Sequence, residues 1–158
     1  MTFDRRLIEA KITLDQIGFH EFPALAADAL EAGFDGPAIR RMAAMVLPTG
    51  LEIDELRPQF QHEAGLVTVS PATASVRLAT QRANEILDGD LDPLCHLGRF
   101  ERWFLDAECP YELRELGLLE EDAYVLEYSG KSEGEIGSWA LERLRAFVLA
   151  NRPDSPVD

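Results

Sequence analysis

Cysteine is nearly absent from this sequence, and its scarcity excludes one class of protein. Cys95 and Cys109 are the only cysteines among 158 residues. Two cysteines in a chain of this length do not form the disulfide framework of a small secreted domain. Because both have apolar neighbours along the chain, we expect their thiols to be buried.

Long apolar runs are also absent. No window of 18 consecutive apolar residues occurs, so the sequence predicts no membrane-spanning helix and no membrane partner. The opening residues 1–6 are not followed by the apolar segment of a secretory signal peptide. We therefore expect a cytoplasmic protein.

The spacing of the few histidines excludes the common zinc-protease motif. In that motif a His-Glu pair is followed by a second histidine four residues after the first, on the same helix face. Four residues after His20 the sequence has Ala24, and four residues after His62 it has Leu66. The spacing of the His and Cys residues supports no zinc site either, and we predict neither a metal nor a cofactor.

One acidic segment has part of the spacing of a calcium-binding loop. Asp88, Asp90 and Asp92 are spaced like its first three ligands, but the required glycine and glutamate positions hold Pro93 and Arg99. A helix end at Gly89 and a helix start at 92–93 explain the segment better.

The composition that remains favours helices. Apolar residues make up 46% of the chain, and leucine and alanine outnumber the β-branched residues that favour strands. Prolines at helix starts and glycines at helix ends divide the chain into short elements. The sequence predicts an all-α fold, a single compact bundle of seven to nine short helices with helical hairpins. This domain would span 1–150, followed by a frayed tail at 151–158.

The helix boundaries follow from this punctuation and from apolar periodicity. The predicted helices span 3–17, 23–32, 37–46, 50–64, 71–88, 93–107, 110–117, 120–129 and 133–150. The second and third should form a hairpin in which Leu30 and Val46 face inward, and the fourth should be interrupted or bent at Pro58. The segment 120–129 could also be an isolated strand, but helix is favoured because no partner strand is visible.

Negative charge is concentrated in the segment 85–135. That segment has 15 Asp and Glu residues against four Arg and Lys, a net charge of −11 within a chain total of −14. Such a charge argues against a nucleic-acid ligand, because phosphates are bound by Lys and Arg. It suits a basic protein partner, and it also suits a solvated exterior with no partner at all. The candidate partner-binding residues are Asp88, Asp90, Glu101, Glu108, Glu112, Glu115, Glu120, Glu121 and Asp122.

The aromatic residues of the same segment have two interpretations. Phe100, Trp103 and Phe104 fall on one side of a helix, which predicts a core position. The alternative is that Trp103 or one of the tyrosines is exposed within the acidic surface, as aromatic residues in binding hot spots are. The tyrosines concerned are Tyr111, Tyr124 and Tyr128.

Two segments, 29–40 and 86–93, resemble parts of small uncharacterised bacterial helical proteins. The first resembles a helical hairpin of such proteins and the second a point where one helix stops and the next begins. Some of these proteins resemble immunity proteins, which neutralise a toxin in the same cell. The resemblance implies a bacterial origin and an all-α fold, and it transfers no site residue.

Three functional hypotheses from different classes follow. The first is a non-catalytic protein-binding module that docks a basic partner, most specifically an immunity or inhibitor protein acting on a toxin. The second is an enzyme with a site around His62, Cys95 and His96. The third is a structural or scaffold module. The sequence leaves the partner and the oligomeric state open.

Overall fold

Capping side chains, prolines and glycines set most helix boundaries.

A computed structural model describes residues 3–89 and 91–151, so Asp90 and most of the predicted tail lie outside the described residues. The described residues form nine α-helical segments and no strand, which confirms the all-α prediction. The helices are α1 (Arg5–Thr13), α2 (Phe22–Glu31), α3 (Pro37–Ala43), α4 (Gly50–Glu63), α5 (Pro71–Leu87), α6 (Leu97–Asp106), α7 (Arg114–Gly117), α8 (Leu119–Tyr128) and α9 (Glu133–Ala150).

Several helices are shorter than predicted, and the reasons are local. Helix α1 ends at Thr13 because Asp15 adopts a left-handed conformation with φ of 51°. The predicted helices at 93–107 and 110–117 each begin with a separate 3₁₀ turn, at Leu94–His96 and Tyr111–Leu113. Helix α4 runs through Pro58 without interruption.

The described chain divides into two compact units, at a point that the sequence reasoning did not identify. Unit 1 is Met1–Ser70 and unit 2 is Pro71–Asp158. The single-domain expectation stays a prediction, and each unit is described by itself.

In unit 1, α2 and α3 form a hairpin and α4 packs against α3. Its core contains Phe22, Ile39, Met42, Ile53 and Phe60. The rings of Phe22 and Phe60 meet edge to face with centroids 6.2 Å apart, a favourable geometry for aromatic pairs.

A carboxylate of α4 caps α3 from outside. The residue before α3 is Gly36, which has no side chain to cap the helix, and the backbone N–H groups of Ala38 and Ile39 instead donate to Glu63, each at 3.0 Å. A Cβ atom at Gly36 would overlap the Glu63 carboxyl. The two elements are therefore joined through a charged hydrogen bond.

In unit 2, α5 pairs with α9, and α6 packs against α7 and α8. The core includes Phe100, Trp103, Leu113 and Leu144, so the core prediction for Trp103 is correct. Gly117 allows α7 to approach α6 closely, because a Cβ atom there would overlap the ring of Phe104.

Three burial predictions are wrong. Both thiols, of Cys95 and Cys109, are exposed. Val46 was expected to face the α2–α3 hairpin, but it is 89% exposed because α3 ends at Ala43. Leu30 also lies at the surface.

None of the helices in the described part of the chain has the length and apolar character needed to cross a membrane.

Candidate docking surface of unit 2

The most unusual surface of unit 2 lies on α8. Tyr124, Val125 and Tyr128 are 68%, 59% and 88% exposed. Together with Glu121 they occupy positions i, i+3, i+4 and i+7, which form one outward stripe on a helix. Asp122 and Glu127 are exposed on the same helix. We call these six residues the α8 surface. This surface has an apolar stripe that is exposed to water and carboxylates on both sides of the stripe.

Within the described part of the chain, the carboxylates of this surface have no compensating partners. Among residues 3–89 and 91–151, the side chains of Glu121, Asp122 and Glu127 make no hydrogen bond and no ion pair. Helix α8 has three acidic residues in its first turn, where the helix dipole favours them. Their charge otherwise remains available to a molecule outside the chain.

Glu101 of α6 and Glu120 of α8 contact each other. The hydrogen bond with Glu101 raises the pKa of Glu120, and partial burial and the negative charge of Glu101 raise it further. Gly98 gives Glu120 its room, since a Cβ atom there would lie 2.7 Å from Glu120 Oε2. The contact with Glu101 therefore makes Glu120 harder to ionise than an isolated glutamate.

A groove beside α8, the α8–α9 groove, has an apolar floor and a charged rim. Its volume is about 430 Å³; the buried Leu97 and Ile136 form its floor, and Leu94 and Ala123 also line it. The remaining lining side chains are polar or aromatic: Glu120, Tyr124, Glu127, Lys131 and Glu133. Lys131 forms an ion pair with Glu135 at 3.4 Å, so its charge is already engaged. The rim is therefore negative.

A second groove, of about 570 Å³, lies on the other side of α8 and brings three of the predicted residues together. Glu112, Glu115 and Asp122 line it, but Arg114 and Arg143 line it too. Charges of both signs therefore meet in this groove, and it selects less clearly for a cation than the α8–α9 groove does.

The remaining predicted residues lie elsewhere in unit 2. Asp88 follows α5 and Glu108 follows α6, and neither lines the two grooves beside α8. Asp90 is outside the described residues. Some of the predicted partner-binding residues therefore lie close together around α8, and the others lie away from it.

Within their own units, the residues of the enzyme hypothesis lie at or near the surface: Cys95 and His62 are exposed and His96 is partly buried. Cys95 and His96 line neither groove beside α8, and His62 is an exposed residue of unit 1. The Asp92 carboxylate accepts a hydrogen bond from the Cys95 thiol at 3.6 Å, and its charge raises the pKa of that thiol. A raised pKa disfavours the thiolate that a nucleophilic cysteine needs. Among the described residues, no group of three or more His, Cys, Asp or Glu side chains could hold a metal ion.

Comparisons with protein families, with curated proteins and with solved structures return no match for this chain.

Sequence reasoning missed Val125, Glu127 and Glu133 as surface and groove residues. It did identify the tyrosines as candidates for exposure. The helical period of α8 contains the missing signal, because Tyr124, Val125 and Tyr128 fall on one face and buried Leu119 on another.

Proposed function

We propose that this protein is a non-catalytic binding module of the bacterial cytoplasm that docks a basic protein through the α8 surface. The observation that carries the proposal is the exposed stripe of Tyr124, Val125 and Tyr128 beside carboxylates that have no partner in the described chain. Tyrosine is enriched in interface hot spots because it buries a large area at little entropic cost.

The chemistry of the surface specifies the chemistry of the partner. Uncompensated carboxylates speed the approach of a positively charged protein and repel acidic ones. The stripe then needs an apolar patch to cover it. The partner should therefore present an aliphatic or aromatic patch bordered by arginine or lysine.

The most specific form of the proposal is an immunity protein that neutralises a basic toxin in the same cell. It rests on the resemblance of 29–40 and 86–93 and on the acidic charge of unit 2. Expression of the partner alone should arrest growth, and coexpression with this protein should restore it. Growth arrest that coexpression does not relieve would contradict the immunity form.

The docking proposal is tested with two variants that lose the same charge. The test variant neutralises Glu121, Asp122 and Glu127 as amides. The control variant changes Glu31→Gln, Glu55→Gln and Glu142→Gln, which are exposed carboxylates outside the α8 surface. Partners are captured from the native lysate, identified, purified and titrated against each variant.

The expected result is a basic partner whose affinity falls at least tenfold with the test variant and stays near the wild-type value with the control. Tyr128→Ala should weaken binding about thirtyfold, the loss typical of a hot-spot residue. Added salt should slow association with the wild type. Equal effects of the two charge variants, or binding unaffected by Tyr128→Ala, would refute docking at α8.

A further inference from the structure

The α8–α9 groove, next to the α8 surface, combines buried apolar residues with carboxyl groups. Leu97 and Ile136 are buried at its floor, whereas Glu120, Glu127 and Glu133 line it with carboxyl groups. Its volume of about 430 Å³ lies within the range of about 300–1,000 Å³ that is typical of pockets for drug-sized ligands. An occupant must therefore combine an apolar stem with a positive end.

Arginine has this combination. Its three methylene groups can lie along an apolar surface while the guanidinium reaches polar groups at the end. The guanidinium forms paired hydrogen bonds with carboxylates and stacks on aromatic rings. Tyr124 lines the groove and is largely exposed, so its ring is accessible from the solvent side. Lysine would pair with the carboxylates but would not stack as a plane.

We propose that the α8–α9 groove binds an arginine side chain of the docked partner, with the methylene stem over Leu97 and Ile136 and the guanidinium among the carboxylates. This inference rests on the proposed function, because it places one partner residue beside the α8 surface. The charge complementarity is local: three carboxyl groups face the groove, and the single ammonium group there, of Lys131, is paired with Glu135.

The groove can be tested before a partner is known. The probes are N-acetyl-arginine amide, its lysine counterpart, and its citrulline counterpart, which has nearly the shape of arginine without the charge. Each is titrated into the ¹⁵N-labelled full-length protein at constant ionic strength, and amide shifts are followed by NMR. A ligand of this size should bind with a dissociation constant of about 1 mM.

The expected result is saturable shifts confined to amides of the groove, at 94–97, 123–127 and 133–136, with arginine bound more tightly than lysine. Citrulline should give no saturable shift. Equal binding of arginine and lysine, or shifts spread over all acidic residues of 85–135, would overturn the inference.

Two variants separate charge from shape. Ala123→Leu should fill the groove from α8 without changing any charge, and it should abolish the shifts. Glu127→Gln should weaken arginine binding severalfold, and because Glu127 is exposed this variant does not depend on repacking. The matched control is Glu115→Gln, in the second groove, which should leave binding unchanged. Equal arginine binding by all three variants and the wild type would also overturn the inference.

The same variants distinguish failure of this inference from failure of the proposed function. A partner that binds Ala123→Leu as tightly as the wild type, while Tyr128→Ala weakens it, would refute the groove and leave the docking surface intact. Saturable arginine binding in the groove, combined with a partner that ignores the α8 surface, would refute the docking proposal alone.

Discussion

The two units differ in how many of their carboxylates have partners, although the exposed Glu31 and Glu55 of unit 1 have none in the described chain. In unit 1, Glu63 caps α3, the capping box of α4 contains Glu52, and Asp35 pairs with Arg40. Even the buried Glu9 accepts a backbone hydrogen bond from Val67, at 3.0 Å. In unit 2, a large share of the carboxylates face solvent and have no hydrogen bond or ion pair within the described chain. These are Asp88, Glu108, Glu112, Glu115, Glu121, Asp122, Glu127, Glu133 and Glu142.

The difference shows that acidity alone does not indicate a binding surface. A carboxylate that accepts backbone N–H groups contributes to folding, and its charge is partly neutralised where it lies. A carboxylate without such a partner raises the self-repulsion of the fold and attracts cations from outside. Unit 2 is not uniform in this respect, because Glu135 belongs to the capping box of α9.

The largest effect that tests the comparison should come from Glu63→Ala. Loss of the cap leaves two N–H groups of α3 without their acceptor, and we expect the free energy of unfolding to fall by about 1–2 kcal/mol. The matched variant Glu127→Ala removes a carboxylate without partners in the described chain and should change stability by less than about 0.5 kcal/mol. Urea unfolding measures both, and hydrogen exchange at 38–42 locates the effect of Glu63→Ala. Equal losses would erase the distinction between the units.

Acid should change the stability contributed by carboxylates with a lowered pKa and by carboxylates with a raised pKa in opposite directions. A hydrogen bond from Arg40 lowers the pKa of Asp35. Hydrogen bonds from the backbone N–H and the hydroxyl of Thr49 lower the pKa of Glu52. Burial alone would raise the pKa of Glu63, but hydrogen bonds from Gln59, Ile39 and Ala38 hold it below its ordinary value. The stability that these groups contribute is present above their ordinary pKa and is lost as pH falls through the lowered value.

The pKa of Glu120 is raised by its contact with Glu101, so the sign is reversed for this group. Its contribution is complete below the ordinary pKa of Glu120 and is lost as pH rises through the raised value. Glu120→Gln should therefore increase the protection factors of α6 and α8 at neutral pH and reduce the dependence of these factors on pH. Hydrogen exchange between about pH 4 and pH 7, compared with a Glu115→Gln control, measures this. A variant as pH-sensitive as the wild type at α6 and α8 would contradict the assignment.

Salt should have the smallest effect. At about 1 M salt the screening length falls to about 3 Å, which should reduce repulsion among the unpaired carboxylates of unit 2. We expect slower hydrogen exchange across 97–128. Exchange across α3 and α4 should not become slower, because ion pairs such as Asp35–Arg40 are screened there as well. A gain of equal size in both units would show that the charge of unit 2 is not locally uncompensated.

Much of the fold could be predicted because helix boundaries depend on nearby residues. The capping boxes at Thr49 and Ser132 and the prolines at 37 and 71 begin helices where expected. The segment that could have been an isolated strand is α8, and its helical form is confirmed. The early end of α3 was not predicted, since no proline or glycine marks it, and Val46 was misplaced as a result.

The site was predictable only in part. Sequence alone located the excess charge in 85–135 and identified Tyr124 and Tyr128 as candidate exposed aromatics. It did not show which carboxylates have partners, because those partners come from distant elements: Glu63 caps a helix that begins 26 residues earlier, at Pro37. It also predicted buried thiols for Cys95 and Cys109, since apolar neighbours along the chain need not be neighbours in space.

The sequence by itself determined the helical class, most helix starts and the concentration of acidic residues, because these depend on composition and on contacts within a few positions. Only the tertiary structure decided which carboxylates stabilise the fold and which have no partner in the described chain. It also brought Leu97, Glu127 and Ile136, from three different helices, to a single groove. Hydrogen bonding and burial depend on distances between elements, and the order of residues along a chain does not specify those distances.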